Sequence, residues 1–439
     1  MSLASGAIER PPPSRSSSML LAAAAILLIT MGVRQSMGLF VDPIVASTGV
    51  GIAAISFALA IGQLVWGAAQ PLFGAIADHY GSYRVLIVGG LLLAAGAALA
   101  SRSTTELGLI LSLGVLVAAG SAAGSFAILI GVTSQYLPAH RRSFAAGLIN
   151  AGGSMGQFLF APFAQFVISG AGWTIGMLAL SVSGLVTVPI AWLFRDRSPA
   201  APLATAPHAG AGAGGGAGGG AGSVGGTPAD TVRSLSLRQQ LRIALRDRSY
   251  LCLNAGFFTC GFHIAFLVTH WPGDLRMCGL APTVAANSLA LVGIFNVAGS
   301  VGIGWLGGRY RMKYLLALLY ASRAAVVVCY LLMPKTALNV YIVAASLGVS
   351  WLATVPPTAG LVGKLFGTRY LTTLFGLTLL SHQIGGFLGA WLGGVAMAQL
   401  GSYQWVWYAD IVLALLAAAV NLPIKEALPS RGVAQQAPA

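Results

Sequence analysis

The run MLLAAAAILLITMGVRQSMGLFVDPIV, residues 19–45, decides the class of fold. Its predominantly apolar part, 19–42, exceeds the about 20 residues that a helix needs to cross the hydrocarbon core of a bilayer. Arg34 lies well inside it. A cation at that depth costs a few kcal/mol or more unless it faces a cavity or a partner, so Arg34 is a functional-site candidate by default. No acidic residue in the run precedes Asp42, so whatever neutralises Arg34 comes from elsewhere. An anionic ligand is one such partner; a structural arginine satisfied by carbonyls is the alternative.

Working outward, further apolar runs of spanning length lie at roughly 52–76, 84–101, 107–133, 144–169, 173–194, 250–271, 283–306, 314–333, 337–362, 370–398 and 403–423. The expectation is an all-α membrane protein with twelve transmembrane helices in two six-helix, pseudo-symmetric bundles. Composition agrees: 56% of residues are hydrophobic and 8% charged, against about a quarter charged in ordinary soluble domains.

The formal charge of +14 is distributed unevenly. If both termini are cytoplasmic, that side receives Arg10, Arg15, Arg84, Arg141, Arg142, the Arg195 to Arg248 group, Arg309, Arg311, Lys313, Lys364, Arg369, Lys425 and Arg431. The opposite side receives Arg102, Arg276 and Lys335. This is the positive-inside pattern, and it sets both termini of a multi-pass membrane protein in the cytoplasm. Basicity here reads as topology and contact with anionic lipid, not as nucleic-acid binding.

The polar leader 1–18 precedes an apolar stretch too long for a signal-peptide core, so residues 19–42 are expected to stay as the first helix. Cys252, Cys260, Cys278 and Cys329 lack metal-type spacing. Residues 198–230, almost uncharged Ala, Gly and Pro, read as a flexible connector. Leu237, Leu241 and Leu245 then alternate with a stripe of Arg238, Arg242 and Arg246, as in a helix lying on the membrane surface or a short solvated one. The expected division is a cytoplasmic tail (1–18), an N-terminal bundle (19–194), a linker (195–248), a C-terminal bundle (249–424) and a second tail (425–439).

The two bundles repeat. An offset of 229 residues aligns Gly32-Val33-Arg34 with Gly261-Phe262-His263, Pro43 with Pro272, Gly147 with Gly376 and Gly156 with Gly385, while Gly74 and Gly304 differ by 230. A nearly constant offset across several helices means two equivalent halves related by an axis along the membrane normal.

The second run ends in Gly74-Ala-Ile-Ala-Asp78-His79-Tyr-Gly81-Ser82-Tyr-Arg84. Gly74 suits close helix approach, Asp78 a helix end, and Gly81 a tight turn. The segment resembles the signature loop of the major facilitator superfamily, departing from it at His79 and Ser82, and Gly304 to Lys313 is a degenerate copy that includes Arg309. The resemblance implies that Asp78 and Arg84 join a charge network closing the cytoplasmic side. A narrower one lies at Tyr136-Leu-Pro-Ala-His-Arg141-Arg142-Ser-Phe-Ala-Ala-Gly147 and in Ser36-Met37-Gly38-Leu39-Phe40, both similar to the monocarboxylate transporter and oxalate/formate antiporter group. That group places a cation directly before the serine, where this chain has Gln35, with Arg34 one residue earlier. Animal monocarboxylate transporters carry an Asp and an Arg where this chain has Asn296 and Ser300, so their ion pair does not transfer; the match is closer to bacterial members, which implies a protein of the bacterial inner membrane.

Equivalence in the repeat sets His263 across from Arg34, on helices that line the central cavity in this superfamily. A guanidinium can hold a carboxylate bidentately, and an imidazole can add a hydrogen bond or change charge near neutral pH. His382, Gln383, Asn150, Gln157 and Asn296 are candidate hydrogen-bonding groups, or else packing polars, and Trp351 a candidate apolar wall. Arg323 reads as structural, with Asp410 as a candidate partner.

The expected function is secondary transport of a small organic anion, a monocarboxylate, by alternating access in a monomer, proton-coupled or by exchange, with Arg34 on the carboxylate and His263 or His382 modulating affinity or taking up a proton. An exporter of drugs or other xenobiotics on the same fold is the alternative. Catalysis has no support: the sequence holds no metal-ligand cluster, no nucleotide-binding loop and no paired cavity carboxylates, and no cofactor is expected.

Overall fold

The computed structural model describes residues 13–134, 139–195, 236–367 and 370–426, excepting the side chains of 13–16, 78, 134, 139–144 and 372. The connector 198–230, most of both tails, the Asp78 side chain and the Arg141, Arg142 and Arg369 side chains lie outside the described residues. What is described is helical, with no strand.

Each of the twelve expected runs falls on helix. The first comprises α1 (Pro13–Gln35), a turn at Ser36–Met37 and α2 (Gly38–Thr48); α3 (Ile52–Tyr80) and α4 (Ser82–Ala100) follow. The fourth is built from α5 (Glu106–Leu109), a π-helical stretch at Ile110–Val117, α6 (Ala118–Ala123) and α7 (Phe126–Ser134). The fifth and sixth share α8 (Ala139–Ala191), broken at Gly172, whose φ of 85° an L side chain rarely adopts. After α9 (Leu237–Ala244) come α10 (Arg248–Met277), α11 (Pro282–Leu306) and α12 (Met312–Leu332). The tenth run is α13 (Ala337–Ser350) and α14 (Val355–Phe366), interrupted at Trp351–Thr354, and α15 (Leu371–Leu400) and α16 (Gln404–Asn421) complete the chain. Among the described residues 10 segments are long and apolar enough to cross a membrane, with Ala145–Phe194 counted once despite its break. The 30-residue α15 lies outside those ten.

Glycine sets how these helices meet. A Cβ at Gly156 of α8 would collide with the Leu28 carbonyl and approach the Gly32 nitrogen of α1. One at Gly385 of α15 would collide with the Phe258 carbonyl and approach the Phe262 nitrogen of α10. Further along the same seams, Phe160 crowds Gly32 and the Phe262 carbonyl crowds Gly389. The two halves therefore repeat the same backbone-to-backbone seam, the way membrane helices associate when packing must replace a hydrophobic drive.

Across the halves, α3 meets α15, α8 meets α11 and α2 meets α10. At one end Gly38 lies against the Val268 carbonyl, Ser56 against Gly394, and Asp42 forms an ion pair with Arg276 at 2.8 Å. Midway, Gly67 faces Gln383 and Gly293 faces the Ser154 carbonyl. Toward the end that carries Gly81, the positions Gly74, Gly147, Gly302, Gly304 and Gly376 have open space where a Cβ would stand. The halves thus close at the Asp42 end and diverge toward the Gly81 end. Gly74, expected to serve close approach, has open space where a Cβ would stand, on the diverging side of the halves. Gly81 does adopt a left-handed φ of 92° between α3 and α4.

The amphipathic segment after the connector forms α9, opened by a capping box of Ser236 and Gln239. Its Gln240 and Ala244 are buried, while Leu237, Ile243 and Leu245 remain exposed as an apolar surface.

Two glycines make the packing argument testable. Replacing Gly156 with valine is expected to lower the thermal midpoint of the detergent-solubilised protein by several degrees, since overpacking costs about 1–3 kcal/mol. Gly147→Ala, in open helix, is expected to leave it unchanged or raise it slightly. Static light scattering on heating reads both.

Candidate functional site

Arg34 occupies the last turn of α1, just before the chain breaks into α2. Its guanidinium stands over the Trp66 ring, 4.2 Å from the centroid, and Nη2 donates to Gln63 Oε1. Gln63 and Trp66 are three residues apart on α3, one helical turn, so a single face presents an acceptor and a π surface to the cation. Among the described residues no carboxylate pairs with Arg34, and one bond leaves most of its five N–H donors available. Arg34, Met37, Gly62, Gln63, Val117 and Thr269 are among the residues lining a cavity of about 30 Å³. That is room for a water or so, too small for an organic anion. Thr269 comes from the C-terminal half, and Gln63 also packs against Gly386 of α15. The cation therefore sits where the halves meet.

His263 does not face Arg34. It is fully buried and its Nδ1 is 2.7 Å from Asp410 Oδ2, on α16. The seams explain why: Leu28 and Gly32 of α1 correspond to Phe258 and Phe262 of α10, an offset of 230, so the position equivalent to Arg34 is Ile264. One residue turns a helical side chain by about 100°. The α10 residues that reach the Arg34 cavity are Val268 and Thr269.

Arg323 does not pair with Asp410 either. Its Nη2 donates to the Ser350 and Trp351 carbonyls, at 2.8 and 3.1 Å, which the break between α13 and α14 leaves free. Trp351 is fully buried, its ring 5.9 Å from that of His263, so it packs inside the C-terminal half and does not wall the Arg34 cavity.

Asn296 is a strap between halves. Its Nδ2 donates to Ser154 Oγ on α8 at 2.9 Å, while Oδ1 accepts from the Leu352 nitrogen at 2.9 Å and from Ser300 Oγ at 3.2 Å. These bonds occupy the amide that was a candidate for substrate. Gln157 accepts from Gln35 Nε2 at 3.3 Å, and its own Nε2 is buried without a partner among the described residues. Gln383, packed against Gly67, shares a 3.1 Å contact with His382 Nδ1, and the His382 ring lies 4.9 Å from that of Phe257. Asn150 is half-buried on α8.

Of the expected gating group, Arg84 Nε donates to Tyr83 Oη at 2.9 Å and Arg309 stands 3.7 Å over the Trp305 ring. In the second signature copy the carboxylate comes from Glu426, which accepts from the nitrogens of Met312 and Lys313 and pairs with Lys364 at 2.7 Å. Gln63, Trp66 and Thr269 are site residues the sequence reading missed. Gln63 carried the same signal as Arg34, a polar group within an apolar run.

The family model described as Major Facilitator Superfamily matches residues 20–390. Monocarboxylate transporter 13 of Bos taurus is 28% identical over 85% of this chain and 81% of its own length. The uncharacterized MFS-type transporter YcxA of Bacillus subtilis is 23% identical over 89% and 90%. Among solved structures, a bacterial homolog of the human lysosomal transporter Spinster, inward-facing and unoccupied, superposes with a TM-score of 0.69 at 16% identity over 94% and 97% of the two chains. A D-xylose-proton symporter gives 0.69 at 13% identity, covering 93% and 97%. At these identities the structural likeness is one of fold.

Truncating the strap tests its weight. Asn296→Ala removes three hydrogen bonds at a buried contact and strands the Leu352 nitrogen, so a stability loss of about 2–4 kcal/mol is expected. Thermal unfolding in detergent measures it, and a change below 1 °C in midpoint contradicts the strap.

Proposed function

The chain belongs to the Major Facilitator Superfamily, and from that premise we propose that it carries a small organic anion, a monocarboxylate, across a bacterial inner membrane by alternating access. The observation that supports this most is Arg34: a cation at bilayer depth, beside a cavity between the halves, held by an amide and an indole and left with donors to spare. A planar fork of donors matches a carboxylate, and in a low-dielectric site such a charge-assisted pair is worth more than in water. The names of relatives such as monocarboxylate transporter 13 agree with that substrate class. The xenobiotic-exporter reading has no comparable observation behind it.

Binding in this scheme is made by Arg34, with Gln63 orienting the guanidinium and Trp66 covering one of its faces. The Gly81 end carries the basic residues and is the cytoplasmic one, so the conformation described opens inward. To open outward the halves release Asp42 from Arg276 and Gly38 from Val268, and close Gly74 and Gly147 onto the facing half. Substrate binding drives this only to the extent that it favours one conformation over the other. Ion or substrate gradients supply the energy, α9 rests its exposed leucines on the lipid, and a monomer contains the whole path.

The test is a thermal-stabilisation screen of the purified protein against formate, acetate, lactate, pyruvate and larger carboxylates. At least one is expected to raise the midpoint of the wild type, with affinity falling more than tenfold in Arg34→Ala and partly recovering in Arg34→Lys, since a charge-assisted bond carries about 1.5–3 kcal/mol. Equal stabilisation of Arg34→Ala removes the arginine from the site.

A further inference from the structure

The C-terminal half contains a second intramembrane charge cluster that anion binding does not use. His263 and Asp410 are both fully buried and bonded through Nδ1 and Oδ2 at 2.7 Å. An ionised carboxylate only accepts, so Nδ1 carries the hydrogen and Nε2 holds a lone pair; Nε2 is buried with no partner among the described residues. Asp410 Oδ1, Arg323 Nε and Nη1 and Trp351 Nε1 are likewise buried and unpartnered among the described residues. So many unsatisfied polar atoms around one ion pair are costly, and buried ionisable groups in a membrane mark ion or proton pathways.

The cluster is also linked to the interface. Arg323 lies within electrostatic reach of His263 and holds the Ser350 and Trp351 carbonyls at the break in the tenth span. The nitrogen of the next residue, Leu352, is held by Asn296, whose other bond crosses to Ser154. One turn further along α8, Gln157 bonds Gln35, the neighbour of Arg34. Apart from the electrostatic step between His263 and Arg323 and the helical turn from Ser154 to Gln157, each link is a hydrogen bond or a covalent neighbour, and the break at Trp351–Thr354 lies among them.

We infer that the His263–Asp410 pair binds and releases a proton during transport, and that the Trp351–Thr354 break transmits its charge state to the Asn296–Ser154 contact between the halves. A proton from water adds to His263 Nε2, giving an imidazolium beside the carboxylate, and leaves by the same atom. With Asp410 ionised, Arg323 charged and His263 neutral, the three sum to zero; uptake raises the total by one. The added cation repels Arg323, draws on the Asp410 carboxylate and loads the carbonyls that Arg323 holds. The other titratable groups around the pair are Cys260, bonded to Thr354 at 3.3 Å, Tyr320 beneath Arg323, and His382, which reaches Cys260. The inference rests on the transport reading for its purpose, but the pair can be tested without any substrate.

Spin labels at Gly147→Cys and Gly302→Cys, positions with open space on facing helices of the two halves, report how far the Gly81 end is open, with Cys252, Cys278 and Cys329 replaced by alanine. Double electron–electron resonance in lipid nanodiscs from pH 5 to pH 8 is expected to show the ratio of short to long distances change at least tenfold. In the His263→Gln background that change is expected to vanish. The same pH response in His263→Gln, or no response in the parent, overturns the inference. If His263→Gln does not fold, Asp410→Asn reads the same pair: the midpoint is expected to move by more than one pH unit, and an unmoved midpoint overturns it. Failure of every carboxylate to stabilise the wild type, with the pH response intact, removes the anion reading and leaves the proton site standing.

Discussion

Helices within a bilayer gain nothing by hiding apolar surface from one another, because the lipid is as apolar as they are; they associate by packing closely enough for backbone to touch backbone. That requirement is met at Gly156 against Leu28 and at Gly385 against Phe258, and the rest of the molecule is arranged around these two seams. They fix the depth and rotation of α1 and α10 within their bundles. With α1 locked against α8, Arg34 can only face α3, where Gln63 and Trp66 receive it. With α10 locked against α15, His263 can only face α16, where Asp410 receives it.

Two arginines within apolar runs are treated in opposite ways. Arg323 is enclosed in the C-terminal bundle and donates to carbonyls that a broken helix has freed, which lowers the cost of burying it. Arg34 is only half-buried and uses one bond of its fork. The difference follows from where each helix lies. Arg34 borders the space between halves, whereas Arg323 has the Trp351 carbonyl and the Tyr320 ring close about it.

The interface between halves has graded strength. It is tightest at the Asp42 end and polar and specific midway, while among the described residues the glycines near Gly81 have open space about them. Directional polar contacts midway, such as Asn296 to Ser154, suit a pivot because they hold register at modest net cost and can be remade. Glycines with free space on the open side would let the same helices approach without a clash.

The sequence alone determined the class of fold, showed the repeat and singled out Arg34 as a candidate, because these rest on long-range composition: apolar length, the sidedness of charge and one cation far from any acid. The amphipathic α9 and the turn at Gly81 were legible for a similar reason, being local patterns with local causes. The partners were not legible. Glycines suggested an offset of 229 for α1, while the packed seam takes 230, and that single residue separates a histidine aimed at a cavity from one aimed at Asp410. Rotation about a helix axis depends on which backbone the neighbouring glycine admits, a contact between residues more than a hundred positions apart. Only the tertiary structure decides it.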